Sequence, residues 1–267
     1  MSTQLEKILA HTSAEVTERR AAADLPLLER RAGAHRPRGF EAGLRAVAAS
    51  GPAVIAELKK ASPSRGLIRP DFRPAELARA LEGAGAAALS VLTDQKFFQG
   101  SLEFLESASA AVGIPCLRKD FIVNPFQVLE ARAHGADAVL LIIAALDDGT
   151  LRTLFAEARR MELDVLCEVH DREELERAIA LGATVIGVNS RNLHTMEVQP
   201  QTQIELARWL PPTAVRVAES GIQSPVDIAR MAAAGYDAFL VGESLMREAD
   251  PAAALAALLE RTYTPAV

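Results

Sequence analysis

Short apolar runs alternate with stretches of helical periodicity from residue 54 onward. The runs are apolar almost throughout, which is typical of strands buried on both faces of a parallel sheet that helices cover. The eight runs span residues 54–58, 88–93, 115–117, 138–143, 164–169, 185–188, 215–218 and 238–241. Eight consecutive βα units without atypical capping repeats favour a closed α/β barrel, the (β/α)8 TIM barrel, over an open solenoid.

The first 50 residues contain no such run. Apolar residues such as Leu5 and Ile8 follow helical spacing there, and Pro26 and several glycines divide the segment into pieces. We therefore predict a single domain over 1–267, with an N-terminal helical extension at 1–50 and the barrel at 51–267. The length of 267 residues suits one barrel domain.

Polar residues close five of the predicted strands, where an apolar run passes into a loop. The carboxyl ends of barrel strands converge on one rim, and active sites lie at that rim. Because residues two apart share a face of a strand, each polar residue lies above an apolar one, as Lys119 lies above Leu117. The residues concerned are Glu57, Lys59, Lys119, Glu168, Asn189, Glu219 and Ser220. This mixture of lysines and carboxylates indicates acid–base chemistry on an anionic, phosphorylated substrate.

The loops after the strands add candidate binding groups. Ser220-Gly221 follows the seventh run and Gly242-Glu243 follows the eighth, where barrel enzymes frequently bind phosphate. Ser62 lies in a polar loop after the first run, which is either a lid over a ligand or an ordinary surface loop. Phe98 and Phe121 follow two other strands, and they form either an apolar wall for an aromatic substrate or part of the core.

Composition excludes several classes of protein. The net charge of −6 gives no broad basic field, so no nucleic-acid partner is expected. We recognise neither a signal peptide nor an apolar run long enough to span a bilayer, and we predict a cytoplasmic protein without a membrane partner. Cys116 and Cys167 both fall in apolar runs and are expected to be buried, reduced thiols.

Cofactor motifs are missing from the chain. Its five histidines are scattered without metal-ligand spacing, and there is neither a Walker loop nor a Gly-x-Gly-x-x-Gly opening. We therefore expect no metal and no cofactor. His170 shares a face with Glu168 but is predicted to be a strand-end or loop residue and not a catalyst. A lysine beside another cation, or partly desolvated, is expected to have a lowered pKa and to donate a proton near neutral pH.

Several strings in this order resemble the indole-3-glycerol-phosphate synthase family, the ring-closing enzymes of tryptophan biosynthesis. They are IAELKKASPS at 55–64, SVLT at 90–93, FFQG at 97–100, LRKDF at 117–121, NSRNL at 189–193, ESGI at 219–222 and VGESLM at 241–246. The resemblance implies a lyase that needs no cofactor. Such an enzyme converts 1-(2-carboxyphenylamino)-1-deoxyribulose 5-phosphate to indole-3-glycerol phosphate, carbon dioxide and water. It also implies that the N-terminal extension caps the rim.

The resemblance also implies roles for single residues. Lys119 is expected to be the general acid that protonates the sugar carbonyl, and Glu168 the acid–base partner in the dehydration. Lys59 is expected to hold anionic groups and is a candidate to protonate the departing hydroxyl, and the division of acid roles between Lys59 and Lys119 stays open. The lysines and the substrate hydroxyls are expected to be oriented by Glu57, Asn189 and Glu219. The anthranilate carboxylate is expected to meet Ser62 and Arg191, and its ring to contact Phe98 and Phe121. The phosphate is expected to be bound by Ser220, Gly221, Gly242 and Glu243.

Two other functions are compatible with a phosphate-binding barrel. One is another phosphosugar enzyme such as phosphoribosylanthranilate isomerase, for which we would expect a cysteine–aspartate acid–base pair. The other is a non-catalytic barrel that senses a phosphorylated metabolite. A sensor would keep the turns at Ser220 and Gly242 but has no need of Lys119 or Glu168, and both are present.

Overall fold

A computed structural model describes residues 3–191 and 197–260, and in it eight parallel strands close into a barrel. Each of the eight predicted runs forms one of these strands, and the observed strand boundaries differ from the predicted ones by no more than a few residues. The strands are β1 (Ala53–Leu58), β2 (Ala88–Leu92), β3 (Cys116–Lys119), β4 (Ala138–Ile142), β5 (Asp164–Val169), β6 (Val185–Asn189), β7 (Val215–Glu219) and β8 (Ala238–Val241). Neighbours in the chain are neighbours in the barrel, and β1 pairs with β8 to close it. The predicted TIM barrel is therefore confirmed.

Helices precede the barrel and alternate with its strands. They are α1 (Gln4–Ala22), α2 (Leu25–Ala34), α3 (Phe40–Ala48), α4 (Pro74–Gly83), α5 (Gln95–Phe98), α6 (Leu102–Ser109), α7 (Pro125–Ala133), α8 (Asp148–Arg160), α9 (Arg172–Leu181), α10 (Pro200–Ala207), α11 (Pro225–Ala233), α12 (Glu243–Met246) and α13 (Pro251–Glu260). A small antiparallel hairpin joins Ala61–Ser62 to Gly66–Leu67 in the loop after β1. Within the described ranges, none of the helices has the length and apolar character to cross a membrane.

Two apolar layers hold the barrel together. The inner layer fills the barrel with residues such as Ile55, Leu117, Leu166 and Val217. The outer layer lies between the strands and the helices and contains their neighbours in sequence, for example Val54 and Ala56 among many others. The prediction that apolar residues lie directly below Glu57, Lys119, Glu168 and Glu219 is confirmed, because these apolar residues belong to the inner layer. The polar residues therefore lie above the apolar interior of the barrel.

The N-terminal extension contacts both ends of the barrel. Leu5 and Ile8 of α1 line the cavity at the rim, as the predicted cap requires. Phe40 and Leu44 of α3 are fully buried against the inner layer, next to residues such as Ala53 at the start of β1. The first half of α1 therefore caps the rim, and α3 closes the opposite end. The boundary between extension and barrel stays a prediction, and residues 1–2, 192–196 and 261–267 lie outside the described chain.

A buried aspartate ties the extension to the barrel. The side chain of Asp137, just before β4, is completely buried and faces Arg38, which lies between α2 and α3. Its Oδ2 accepts hydrogen bonds from Arg38 Nη2 at 2.6 Å and Nε at 2.9 Å and from the Cys116 N–H at 2.6 Å. Its Oδ1 accepts from the Arg38 N–H at 2.7 Å. These bonds fix the entry into α3 against β3 and β4.

Candidate active site

A cavity of about 1160 Å³ opens at the carboxyl ends of the strands. The structure brings every predicted site residue to its wall. The lining includes Glu57, Lys59, Ser62, Phe98, Lys119, Phe121, Glu168, Asn189, Arg191, Glu219, Ser220, Gly221, Gly242 and Glu243. The roles assigned to these residues remain predictions, but their convergence follows from the parallel strands, whose carboxyl ends meet at one rim.

Lys119 lies at the centre of the charged groups at the rim. Its Nζ is 3.3 Å from Glu168 Oε2 and 3.8 Å from Glu219 Oε2. Burial disfavours the ammonium, but Glu168, Glu219 and Glu57 outweigh burial and raise the pKa of Lys119 above its ordinary value. The expectation of a lowered lysine pKa is therefore wrong for Lys119. It is a firmly protonated cation that the three surrounding carboxylic groups hold in place.

Glu57 and Lys59 form a second pair on the same face of the chain. Lys59 Nζ contacts Glu57 Oε1, and Glu57 Oε2 accepts a hydrogen bond of 3.4 Å from Ser90 Oγ on β2. Burial opposes ionisation of Glu57, but Lys59 and Lys119 outweigh it and lower the pKa of this carboxyl. Gly242 makes room for the Glu57 side chain, because a Cβ at that glycine would lie 2.5 Å from Glu57 Oε1.

Glu168 and Glu219 are both buried beside Lys119, yet they titrate in opposite directions. Burial and the neighbouring Glu168 raise the pKa of Glu219 well above its usual range. Burial also opposes ionisation of Glu168, but Lys119 and His170 outweigh it and lower the pKa of Glu168. Two close carboxylates cannot both ionise easily, so the proton of the pair resides on Glu219 and the charge on Glu168.

His170 was predicted from the sequence to be a strand-end or loop residue without a catalytic role, but the structure places it against Glu168. Its Nε2 lies 3.3 Å from Glu168 Oε1 and its Nδ1 lies 3.0 Å from Glu174 Oε2. Two signals in the sequence could have identified it. It shares a strand face with Glu168 two positions earlier, and Glu174 follows it at a spacing of four residues on the first turn of α9.

The turn after β7 has an unusual backbone. Ser220 has φ 67° and Gly221 has φ 78°, so two consecutive residues occupy the left-handed region, and the serine does so at a steric cost. Ser220 Oγ donates a hydrogen bond of 2.8 Å to Asn189 Oδ1, which also accepts the Arg191 N–H at 3.0 Å. Asn189 thus joins the turn after β7 to the loop after β6.

Other parts of the cavity wall carry aromatic rings and arginines. The rings of Phe98 and Phe121 face each other with their centroids 6.4 Å apart. The Glu243 carboxylate lies 2.9 Å from Arg65 Nε and 4.0 Å from Arg191 Nη2. The cavity therefore combines an aromatic wall, arginines and a row of acid–base groups.

Comparisons with known proteins agree with this geometry. A family model described as "Indole-3-glycerol phosphate synthase" matches residues 5–258. A protein of Koribacter versatilis (strain Ellin345) named "Indole-3-glycerol phosphate synthase" is 58% identical over 259 residues, covering 97% of this chain and 100% of the relative. A protein of the same name from Burkholderia vietnamiensis (strain G4 / LMG 22486) is 50% identical over 257 residues, covering 96% and 98% of the two chains.

Among solved structures, a thiamine phosphate pyrophosphorylase from Pyrococcus furiosus is similar with a TM-score of 0.61 and 16% identity, covering 82% of this chain and 100% of that one. At this identity the likeness concerns the barrel fold alone. The family model and the two relatives, by contrast, cover nearly the whole chain, including the rim residues. The chain therefore belongs to the indole-3-glycerol phosphate synthase family.

Proposed function

We propose that this protein converts 1-(2-carboxyphenylamino)-1-deoxyribulose 5-phosphate to indole-3-glycerol phosphate, with loss of carbon dioxide and water. The protein is a lyase of that family, and its substrate is a small phosphorylated molecule. The observation that carries the detailed proposal is the position of Lys119 Nζ, 3.3 Å from Glu168 and 3.8 Å from Glu219, in the cavity that the turns after β7 and β8 also line.

The proposed binding mode divides the substrate between three parts of the cavity. Ser220 and Gly221, with the backbone N–H groups of Gly242 and Glu243, bind the phosphate, because such turns let N–H groups approach its oxygens closely. Phe98 and Phe121 contact the anthranilate ring. Ser62 and Arg191 meet the anthranilate carboxylate, for which the planar guanidinium is well suited.

The proposed chemistry begins with ring closure. A bond forms between the ring carbon that bears the carboxylate and the carbonyl carbon of the sugar, while Lys119 donates a proton to the carbonyl oxygen. Carbon dioxide then leaves, and the electron pair of the broken bond restores the aromatic ring. A positioned acid contributes about 10²- to 10⁴-fold to such a step. Fixed charges at the developing alkoxide contribute about 10²- to 10³-fold for each donor.

Dehydration completes the proposed reaction. Lys59 donates a proton to the departing hydroxyl, which leaves as water, and Glu168 accepts a proton from the neighbouring CH2 carbon of the ring-closed intermediate, so that the new double bond forms. Glu168 suits this role because it is ionised, whereas the protonated Glu219 serves to orient Lys119 and the substrate hydroxyls together with Glu57 and Asn189. We propose that the reaction uses neither a metal nor another cofactor and that the protein is cytoplasmic, without a nucleic-acid partner.

The buried cysteines disfavour the isomerase alternative. Cys116 and Cys167 both lie in the outer apolar layer between strands and helices, away from the rim. Burial raises the pKa of each thiol to about 12. Neither thiol can therefore act as the acid–base group that an isomerase of this kind would need.

The proposed activity is tested by mixing the purified protein with the carboxyphenylamino-deoxyribulose phosphate and following indole fluorescence. A rapid rise with one carbon dioxide released per indole formed supports the proposal. Binding of the compound without any rise favours the sensor, and absence of both contradicts the proposed substrate. Phosphoribosylanthranilate in a parallel assay tests the isomerase.

A methyl group at Gly187 is expected to disturb Glu219 and lower the activity. Gly187 lies on β6 beside the Glu219 side chain, and a Cβ there would come within 2.0 Å of Glu219 Oε1. Glu219 must therefore move, and displacement of a site group by about 1 Å commonly costs about 10²-fold. We expect kcat/KM of Gly187→Ala to fall by roughly that factor.

Gly83→Ala is the matched control for Gly187→Ala. Gly83 ends α4, and a Cβ at that position meets no atom within 4 Å. This variant should keep wild-type kcat/KM. Equal activity of both variants would contradict the idea that Gly187 is required for the position of Glu219.

A further inference from the structure

His170 connects the buried rim to the start of α9. It follows the last residue of β5, and only 13% of its side chain is exposed. Glu168 Oε1 lies 3.3 Å from its Nε2, and Glu174 Oε2 lies 3.0 Å from its Nδ1. Glu174 Oε2 also accepts the backbone N–H of His170 at 2.8 Å, which fixes the ring relative to its own backbone.

Both ring nitrogens of His170 face carboxylate oxygens. A neutral imidazole has one N–H and one acceptor nitrogen, so it can satisfy only one of these contacts. The doubly protonated ring carries an N–H at both positions, with a hydrogen bond from Nδ1 to Glu174 and an ion pair between Nε2 and Glu168, where the alignment does not make a hydrogen bond. Burial disfavours this imidazolium, but Glu168 and Glu174 outweigh burial and raise the pKa of His170 to about 10. The ring is therefore a fixed cation at neutral pH.

The two acidic residues beside Lys119 differ in one respect. Each oxygen of Glu168 has its own cation, with His170 Nε2 at Oε1 and Lys119 Nζ at Oε2, both at 3.3 Å. Glu219 has a hydrogen bond with Glu168 and an ion pair with Lys119 at 3.8 Å, and no second cation pairs with its oxygens in the described part of the chain. His170 is thus the group that distinguishes two otherwise similar buried acids.

We propose that His170 is a positioning residue that keeps Glu168, and not Glu219, the ionised member of this pair and fixes the plane of its carboxylate. The ionisable groups facing the ring are Glu168 on β5 and Glu174 on α9, and Lys119 of β3 and Glu219 of β7 face the same Glu168 carboxylate from the other side. The catalytic consequence rests on the proposed function, in which Glu168 accepts a proton.

The proton distribution can be measured without any reaction. Protein carrying 13C-labelled glutamate carboxyls is titrated by NMR, and Glu168→Gln and Glu219→Gln assign the two signals. In the wild type at pH 7 we expect an ionised Glu168 and a protonated Glu219. In His170→Asn, whose amide can replace Nδ1 toward Glu174 but cannot reach Glu168, the proton should shift toward Glu168. Unchanged signals for both acids in His170→Asn would overturn the proposal.

The same variants are then assayed for kcat/KM against pH. Loss of a neighbouring cation commonly raises the pKa of a carboxyl by about 1–3 units, so the acid limb of His170→Asn should move to higher pH by that amount. His170→Gln, whose amide replaces Nε2 toward Glu168, should recover part of the activity at neutral pH. His134→Asn, at a histidine bonded to the Glu130 carbonyl on α7, is the control and should keep the wild-type profile.

A lowered melting temperature with wild-type pH dependence in His170→Asn would mean a merely structural role and would also overturn the proposal. Failure of the proposed function is distinguishable from this result. If the wild type does not convert the proposed substrate, the activity assay rejects that function, while the carboxyl titration still decides whether His170 controls the charge of Glu168.

Discussion

Lys119→Met is expected to abolish turnover of the carboxyphenylamino-deoxyribulose phosphate while leaving binding of its phosphate group largely intact. Methionine keeps the length and apolar stem of lysine but removes the charge and the proton. The reaction then loses both the proposed acid and the cation beside the carbonyl oxygen. Together these losses should lower kcat by about 10³-fold or more.

Phosphate binding should persist because the groups proposed to bind it lie elsewhere in the cavity. Ser220 and Gly221 follow β7 and Gly242 follows β8, whereas Lys119 ends β3 on another part of the barrel. Titration with inorganic phosphate, followed by calorimetry, should give similar dissociation constants for wild type and variant. Lys7→Met, at an exposed position on α1, is the control and should keep full turnover.

Turnover by Lys119→Met within tenfold of the wild type would contradict the assignment of Lys119 as the acid. Lys119→Arg separates charge from proton donation, because arginine keeps its proton under all ordinary conditions. If Lys119 acts mainly as a fixed cation, the arginine variant should recover part of kcat. If it acts mainly as the acid, Lys119→Arg should be nearly as inactive as Lys119→Met.

The strands of the barrel could be predicted from sequence because burial on both faces leaves an unambiguous pattern. The apolar pattern of a strand such as β4 does not depend on which element covers the strand. The polar residue that follows such a run indicates the position of the rim. The alternation of Leu117 and Lys119 gave the correct depth for the same reason. These features depend only on residues close together in the chain.

Features that depend on distant residues were not predictable. Arg118 directly follows an apolar run, and it is buried in an ion pair of 2.9 Å with Asp120 and another of 3.3 Å with Glu130 of α7. The amphipathic pattern of α3 does not indicate which end of the barrel this helix closes, because Phe40 and Leu44 would be buried equally well at either end. The raised pKa of Lys119 likewise arises from acidic residues on three other strands.

Asp137→Ala is expected to cause a large loss of stability. The variant removes a completely buried carboxylate and leaves the guanidinium of Arg38 without its charged partner. Breaking a buried ion pair in this way costs about 3–5 kcal/mol, more than replacing both partners together. It also leaves the Cys116 N–H without the acceptor that Asp137 Oδ2 provides. The free energy of unfolding, from urea titration at pH 7, should fall by that amount.

The contribution of Asp137 to the free energy of unfolding should depend on pH, and the direction of the change follows from its pKa. Burial opposes ionisation of Asp137, but His35 and Arg38 outweigh it and lower the pKa of this carboxyl. A lowered pKa means that its contribution is fully present above the unfolded value of about 3.9 and is lost as pH falls through the lower folded value. The part of the difference between wild type and Asp137→Ala that comes from the Asp137 charge should therefore shrink below about pH 4.

The exposed pair of Asp71 and Arg73 provides the control. Both side chains are mostly exposed although their ion pair is 2.9 Å long, so Asp71→Ala should leave the urea midpoint unchanged. The double variant Asp137→Ala/Arg38→Met should be more stable than Asp137→Ala alone, because it removes the unpaired charge. If Asp137→Ala unfolds at the wild-type urea concentration, the link between Arg38 and Asp137 does not stabilise the attachment of the extension, and other contacts of α3, such as the burial of Phe40 and Leu44, hold it in the barrel.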